Sequence, residues 1–267
     1  MNIDRFRKIM EYSNANRADM EAKVNSFYSF VGMSSDKEVL NIMQIARPSF
    51  RKKGYLVFEM PFADDEIGAL CYKGDALGYI VLNTSLPKVN VNFAICHELY
   101  HVFYQKSRFR TKVEFAKEHY YEYEEEAAAN LFAGMLLMPE TSFRLMYAKF
   151  RNESENDERD TVIRLMNYYQ VPYMAALIRC YELELPGNYR ISAEVLNVAQ
   201  DVIRARFHDL WLDESILDAS GKDDYIHIEA VVEKFGRECV RDSYLNERTF
   251  EKVLQNMRTL YSDIKGD

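Results

Sequence analysis

Apolar residues recur at helical spacing through most of the chain, and this pattern predicts a protein built mainly of helices. The first 48 residues indicate helices only. The predicted segments there are residues 5–12, residues 18–31, and a third that opens with a capping box at Ser35 and Glu38 and stops at Pro48.

The pattern changes after Gly54, where short runs of β-branched and aromatic residues replace the helical spacing. Three such runs cover residues 55–58, 67–72 and 77–82. The sequence Lys73-Gly74-Asp75 supplies turn residues between the last two runs. We therefore predict a small three-stranded antiparallel sheet.

Helical spacing returns after Pro87 and continues to the end of the chain. We predict a helix that is capped by Asn90 or Asn92 and runs through Gln105. A polar stretch at 106–117 is followed by one long predicted helix that ends at Met138-Pro139. Shorter helices are predicted at 141–150, at 160–169 and from Pro172 to Leu183. Residues 190–267 predict three charged helices.

These patterns indicate an α+β fold dominated by helices, with a small antiparallel sheet beside one long helix. A Pro-Gly break at residues 185–188 separates the last segment from the rest. We expect N-terminal helices in residues 1–48, a core in residues 49–187, and a helical C-terminal accessory region in residues 188–267.

Composition and charge exclude several classes of protein. With 48% hydrophobic residues the chain is too apolar for disorder, and no run of about 18 apolar residues could span a membrane. A net charge of −8 argues against nucleic-acid binding as the main function. The cysteines are scattered and no secretory segment follows Met1, so we expect a cytoplasmic protein.

The sequence His-Glu-x-x-His at residues 97–101 lies in the middle of a predicted helix. Four residues advance a helix by about 400°, so both imidazoles lie on one face and can share one metal ion. Glu98 projects to the side, where its carboxylate can reach a water at the metal without ligating the ion. A metal-activated water with Glu98 as general base and acid is suited to hydrolysis. The neighbouring Cys96 is expected to be a small core residue.

A zinc ion with two imidazole ligands needs a third protein ligand and one open position for water. We favour Glu126, on the second long helix, as that ligand. Asn130 lies one turn later on the same face, where its side chain can form a hydrogen bond to the second polar atom of a metal-ligating residue. The alanines at 127–129 allow this helix to approach the first one closely.

Other side chains near Glu126 could compete for this role. Glu122 lies one turn earlier on the same face, and His119 lies in the polar stretch before the helix. We interpret Glu124 and Glu125 as a solvent-exposed helix face.

Three segments combine into a longer motif: Gly78-Tyr79-Ile80-Val81-Leu82-Asn83, Phe93-x-x-x-His97-Glu98-x-x-His101, and Glu126-x-x-Ala129-Asn130-x-Phe132-Ala133-x-x-Leu136-Leu137-Met138-Pro139. In this combination residues 50–185 resemble the ImmA/IrrE family of metallo-endopeptidases. The resemblance implies a zinc peptidase of the gluzincin arrangement, whose third ligand is a glutamate on the second helix, here Glu126.

The resemblance also implies a class of substrate. Family members typically cleave a helix-turn-helix transcriptional repressor of a mobile element or stress response, so we expect a co-encoded repressor as the protein partner. Many members carry a helix-turn-helix-like stretch after the core, here residues 160–183. That stretch is not basic, so we expect two packed helices without direct nucleic-acid contact.

The alternative function is a regulatory protein-binding module that retains the peptidase fold without catalysis. A purely structural metal site would not require Glu98. The presence of Glu98 beside all three candidate ligands therefore favours an enzyme.

Overall fold

The computed structural model describes residues 1–34, 38–39, 41–73, 78–105, 120–185 and 191–266, and for residues 120–123 it describes the backbone alone. The fold of these residues is α+β and helix-dominated, as predicted. The helices are α1 Ile3–Val31, α2 Ile42–Lys52, α3 Lys88–Tyr104, α4 Tyr120–Leu137, α5 Glu140–Glu153, α6 Glu158–Tyr169, α7 Tyr173–Glu182, α8 Ala193–Leu196, α9 Gln200–Asp209, α10 Tyr225–Arg241 and α11 Glu247–Lys265. A short 3-10 helix covers Glu214–Leu217, and the strands are β1 Tyr55–Met60, β2 Ala69–Lys73 and β3 Gly78–Asn83.

Some expectations fall on residues outside the described ranges. They concern the capping residue Ser35, the turn residues Gly74-Asp75, the polar stretch 106–117, the competing ligand His119 and the break around Pro186.

The N-terminal helices differ from the prediction in two ways. The segments expected at 5–12 and 18–31 form one helix, α1, because the polar residues between them include neither glycine nor proline. Helix α2 continues through Pro48 and ends at Lys52. A proline removes only one helical hydrogen bond, and the fully buried Phe50 anchors the residues after Pro48 in the core.

The sheet is mixed, and the prediction of an antiparallel sheet was wrong in one pairing. Strand β3 lies between β1 and β2. It pairs with β2 in the predicted antiparallel sense but runs parallel to β1. Residues 61–68 carry the chain past the position of β3, so β3 enters between the two earlier strands. The side chains of Ile80 and Leu82 on β3 are fully buried.

The buried side chain of Asn83 fixes the connection between the sheet and α3. Its Oδ1 accepts hydrogen bonds from the backbone N–H groups of Phe62 at 3.1 Å and Ser85 at 3.0 Å. Its Nδ2 donates to the carbonyls of Asp64 and Ile67, each at 2.9 Å. This amide thus uses its full donor and acceptor capacity to hold the loops that precede α3.

Helices α3 and α4 pack against each other in the centre of the core. Helix α3 starts after Pro87 rather than at the predicted caps Asn90 or Asn92; the missing N–H of Pro87 costs nothing there, because the first N–H groups of a helix have no partner within the helix. On α4, Ala129 and Ala133 are fully buried. Small side chains of this kind allow two helix backbones to approach each other closely.

Residues 191–266 form four α-helices and the 3-10 helix, more elements than the three helices predicted. On α9 the ring of Phe207 is completely buried in the main core, whereas the following Trp211 is 95% exposed. The backbone N–H of Asp224 donates to the carbonyl of Glu59 on β1 at 2.8 Å. This region therefore contacts the sheet and the core, and the division into three domains stays a prediction.

Within the described ranges, no helix is both long enough and apolar enough to cross a bilayer.

Candidate metal centre

Helix α3 places two histidines side by side. The Nε2 atoms of His97 and His101 are 2.9 Å apart, and the ring centroids are 4.8 Å apart. This proximity follows from the spacing of four residues, which repeats one face of a helix. Both rings are largely buried, with 16% of the His97 side chain and 8% of the His101 side chain exposed.

Helix α4 adds a carboxylate to this pair. Glu126 has Oε2 at 3.0 Å from Nε2 of His97 and Oε1 at 3.5 Å from Nε2 of His101. One potential ligand atom from each of the three residues lies within 4.8 Å of the others. Because 56% of the Glu126 side chain is exposed, the cluster opens to solvent on the α4 side.

Two side-chain amides form hydrogen bonds with the Nδ1 atoms of the histidines, the ring nitrogens that face away from the cluster. Oδ1 of Asn130 lies 3.0 Å from Nδ1 of His97, and Oε1 of Gln105 lies 2.9 Å from Nδ1 of His101. An amide oxygen can only accept a hydrogen bond, so each Nδ1 carries the proton. In a neutral imidazole the lone pair then resides on Nε2, which faces the cluster.

This arrangement fits a cation. Two nitrogen lone pairs and a carboxylate that face one point repel each other unless positive charge lies among them. Burial opposes a charged His97, but the carboxylates of Glu126 and Glu98 outweigh it and raise the pKa of His97. Burial, together with a charged His97, lowers the pKa of His101. Two imidazoles and one carboxylate are donor types typical of a catalytic zinc site with an open position.

Glu98 is not part of this cluster of ligand atoms, but it is buried, with 8% of its surface exposed, and the charges of His97 and Glu126 influence it. Burial raises the pKa of Glu98 to about 7; His97 opposes this shift and Glu126 adds to it. The thiol of Cys71, on β2, lies close enough to this carboxylate to oppose the upward shift of the Glu98 pKa. Nothing in the sequence around Cys71 indicated this contact, because it depends on how the sheet packs against α3.

The remaining candidates on α4 differ in their surroundings. Glu124 is exposed, as expected. The interpretation of Glu125 as solvent-exposed was wrong, because Glu125 is partly buried and accepts a hydrogen bond from Nε2 of Gln105. The side chain of Glu122 lies outside the described set. On α3, Cys96 is fully buried, as expected for a core residue.

Helices α6 and α7 cover the stretch that was expected to resemble a helix-turn-helix, and they pack into the core. Val162, Ile163 and Leu177 are fully buried. The buried guanidinium of Arg179 donates to the carbonyl of Met138 at 3.1 Å and to Glu182 at 3.0 Å. This arginine is therefore occupied inside the protein and does not present its charge to a phosphate backbone.

A helix-dominated α+β fold, in which an HExxH helix packs against a glutamate-bearing helix, defines a metallopeptidase-like class. Residues 50–181 match the model of the Peptidase_M78 family, described as the IrrE N-terminal-like domain. This match confirms the resemblance to the ImmA/IrrE family that the motifs indicated.

One solved structure similar to this chain is described as a Mycobacterium tuberculosis transcriptional regulator. The two share 16% sequence identity with a TM-score of 0.46, over 70% of this chain and 55% of that chain. The present chain thus spans little more than half the length of that protein. No curated protein matches the chain at a significant level.

Proposed function

We propose that this protein is a zinc-dependent endopeptidase. In this proposal His97, His101 and Glu126 hold the ion, and Glu98 is the general base and acid. The observation that carries the proposal is the convergence of two Nε2 atoms 2.9 Å apart on one carboxylate, beside a second, buried carboxylate. A bound zinc ion would polarise the scissile carbonyl and make the attacking water more acidic.

The residues of the chain divide the remaining work. Glu98 takes the proton of the attacking water and delivers it to the leaving amine nitrogen. Its burial keeps competing water away from the carboxylate during this transfer. Asn130 accepts a hydrogen bond from Nδ1–H of His97 and so keeps the Nε2 lone pair turned toward the ion.

A site with a purely structural role would not need Glu98. Burying a carboxylate costs free energy, and Glu98 is buried beside the candidate ligands without being one of them. This feature supports catalysis over a binding module that only retains the fold.

The proposed substrate is an intracellular protein, with a co-encoded helix-turn-helix repressor as the expected partner. The match to the Peptidase_M78 family supports a protein substrate, and the resemblance to the ImmA/IrrE metallo-endopeptidases is the reason to expect a repressor. Direct DNA binding is not part of the proposal, because α6 and α7 bury their apolar faces and the chain has a net charge of −8.

The test is to mix the zinc-loaded protein with the product of the neighbouring open reading frame and to follow cleavage by mass spectrometry. We expect a cut at one site that stops when zinc is chelated and resumes when zinc is restored. A partner that binds the zinc-loaded protein tightly but is never cut would instead favour the non-catalytic binding module.

A further inference from the structure

Gln105 lies at the end of α3 and contacts two parts of the site. It is the residue that follows the last turn of the helix, and its backbone is extended. Its side chain folds back by one turn, so Oε1 lies 2.9 Å from Nδ1 of His101. The other end of the same amide, Nε2, donates to the carboxylate of Glu125 on α4.

The order of these contacts fixes the direction of each hydrogen bond. A carboxylate only accepts hydrogen bonds, so the NH2 group of Gln105 must face Glu125. The amide oxygen of Gln105 therefore faces His101, and Nδ1 of His101 must be the donor. This leaves the Nε2 lone pair of His101 directed at the candidate metal position.

The same contacts join the two helices that carry the ligands. Glu125 directly precedes Glu126, the glutamate that approaches both histidines. The Gln105–Glu125 contact therefore ties the end of α3 to α4 beside a candidate ligand. A ligand histidine that donates its second N–H to a fixed acceptor loses ring freedom and becomes a better base toward the metal.

We propose that Gln105 and Glu125 are positioning residues that set the tautomer and ring orientation of His101 for metal binding. This inference rests on the proposed function, since it assumes that His101 is a zinc ligand. It assigns a role to Gln105 and Glu125, in addition to the roles already proposed for the ligands, for the general base and for Asn130.

The experiment measures zinc affinity by competition with a chromophoric chelator, using full-length protein. Gln105→Leu keeps the approximate side-chain size but removes both hydrogen bonds, and we expect zinc affinity to fall about 10–100-fold. Glu125→Ala should also weaken zinc binding. Glu124→Ala is the matched control, because Glu124 is the exposed neighbour, and its affinity should equal that of wild type.

A swap of the two side chains separates a positioning role from a general structural one. Gln105→Glu alone puts two carboxylates together and should weaken zinc binding. Adding Glu125→Gln restores the hydrogen bond between positions 105 and 125, with the donor now at 125 and the acceptor at 105. The new carboxylate at position 105 can still accept a hydrogen bond from His101. We expect the double variant to bind zinc more tightly than the Gln105→Glu single variant.

The outcomes distinguish the inference from the function on which it rests. If Gln105→Leu and Glu125→Ala, both folded by circular dichroism, bind zinc as tightly as wild type while His101→Ala does not, the positioning role is overturned and the metal site stands. If His101→Ala also retains zinc, the metal site itself is wrong. A double variant that binds no better than Gln105→Glu would also contradict the positioning role.

Discussion

The α3–α4 pair and the α10–α11 hairpin are both pairs of packed helices, but they place polar and apolar side chains in opposite ways. Helix α3 buries Glu98 and His101 among fully buried residues such as Leu99. In the hairpin, large apolar side chains face solvent: Phe235 is 58% exposed and Leu260 is 61% exposed.

This difference determines what a substitution in each pair should change. Buried polar groups must find partners inside the protein, and both histidines of the α3–α4 site form hydrogen bonds to specific neighbours. The hairpin buries a small apolar cluster that includes Phe250 and Leu254, and it adds contacts such as the stacked rings of Tyr225 and Tyr261 and the pairing of Arg258 with Glu229 at 2.5 Å. Substitutions in α3–α4 should alter chemistry, and substitutions in the hairpin should alter local stability.

The largest effect is expected for Glu98→Gln. Glutamine has nearly the shape of glutamate but cannot take up the proton of the attacking water, so the cleavage rate should fall about 10²–10⁴-fold. Zinc content should stay close to that of wild type, because Glu98 is not among the proposed ligands. Single-turnover cleavage of the partner protein, combined with elemental analysis, checks both expectations.

Glu124→Gln is the matched control for this substitution, since it makes the same chemical change on the exposed face of α4. It should cleave at the wild-type rate. If Glu98→Gln cuts the partner as fast as this control does, Glu98 is not the base and the proposed mechanism fails.

A second comparison concerns two aromatic residues near the end of α9. Phe207→Ala should lower the free energy of unfolding by about 3–5 kcal/mol, because its ring is completely buried in the main core. Trp211→Ala should change it by less than about 0.5 kcal/mol, because 95% of this residue is exposed. Urea unfolding of both variants measures the difference. Equal effects would show that α9 does not belong to the core in solution.

A smaller effect than that of Phe207→Ala is expected for Gly236→Ala on α10. A Cβ atom at this position would overlap the ring of Phe250 on α11, so the hairpin should be destabilised by about 1–3 kcal/mol. Hydrogen exchange should increase in α10 and α11, while zinc affinity stays unchanged. Lys234→Ala, at an exposed position on α10, serves as the control. A loss of zinc affinity in Gly236→Ala alone would reveal coupling between the hairpin and the site.

Features set by local geometry could be predicted from the sequence. The pairing of His97 with His101 needs only the helical repeat, and α3 supplies it. The approach of α4 was predictable from its small residues, since Ala129 and Ala133 are buried where the helices pack.

Features that depend on distant contacts could not be predicted. The parallel pairing of β1 with β3 is set by the path of residues 61–68, and strand patterns do not encode that path. The contacts of Gln105 depend on its side chain folding back and on the position of Glu125 on another helix. A glutamine at a helix end and a glutamate in an acidic run are both common on solvated surfaces.

The central claim is that α3 and α4 hold one zinc ion, and elemental analysis of three purified proteins tests it most directly. His208→Ala is the matched control for His101→Ala, because the His208 side chain is 82% exposed and pairs with Glu214. After loading with zinc and removal of the excess, wild type and His208→Ala should each retain one zinc per chain, and His101→Ala should retain little or none. Equal zinc content in wild type and His101→Ala would contradict the account.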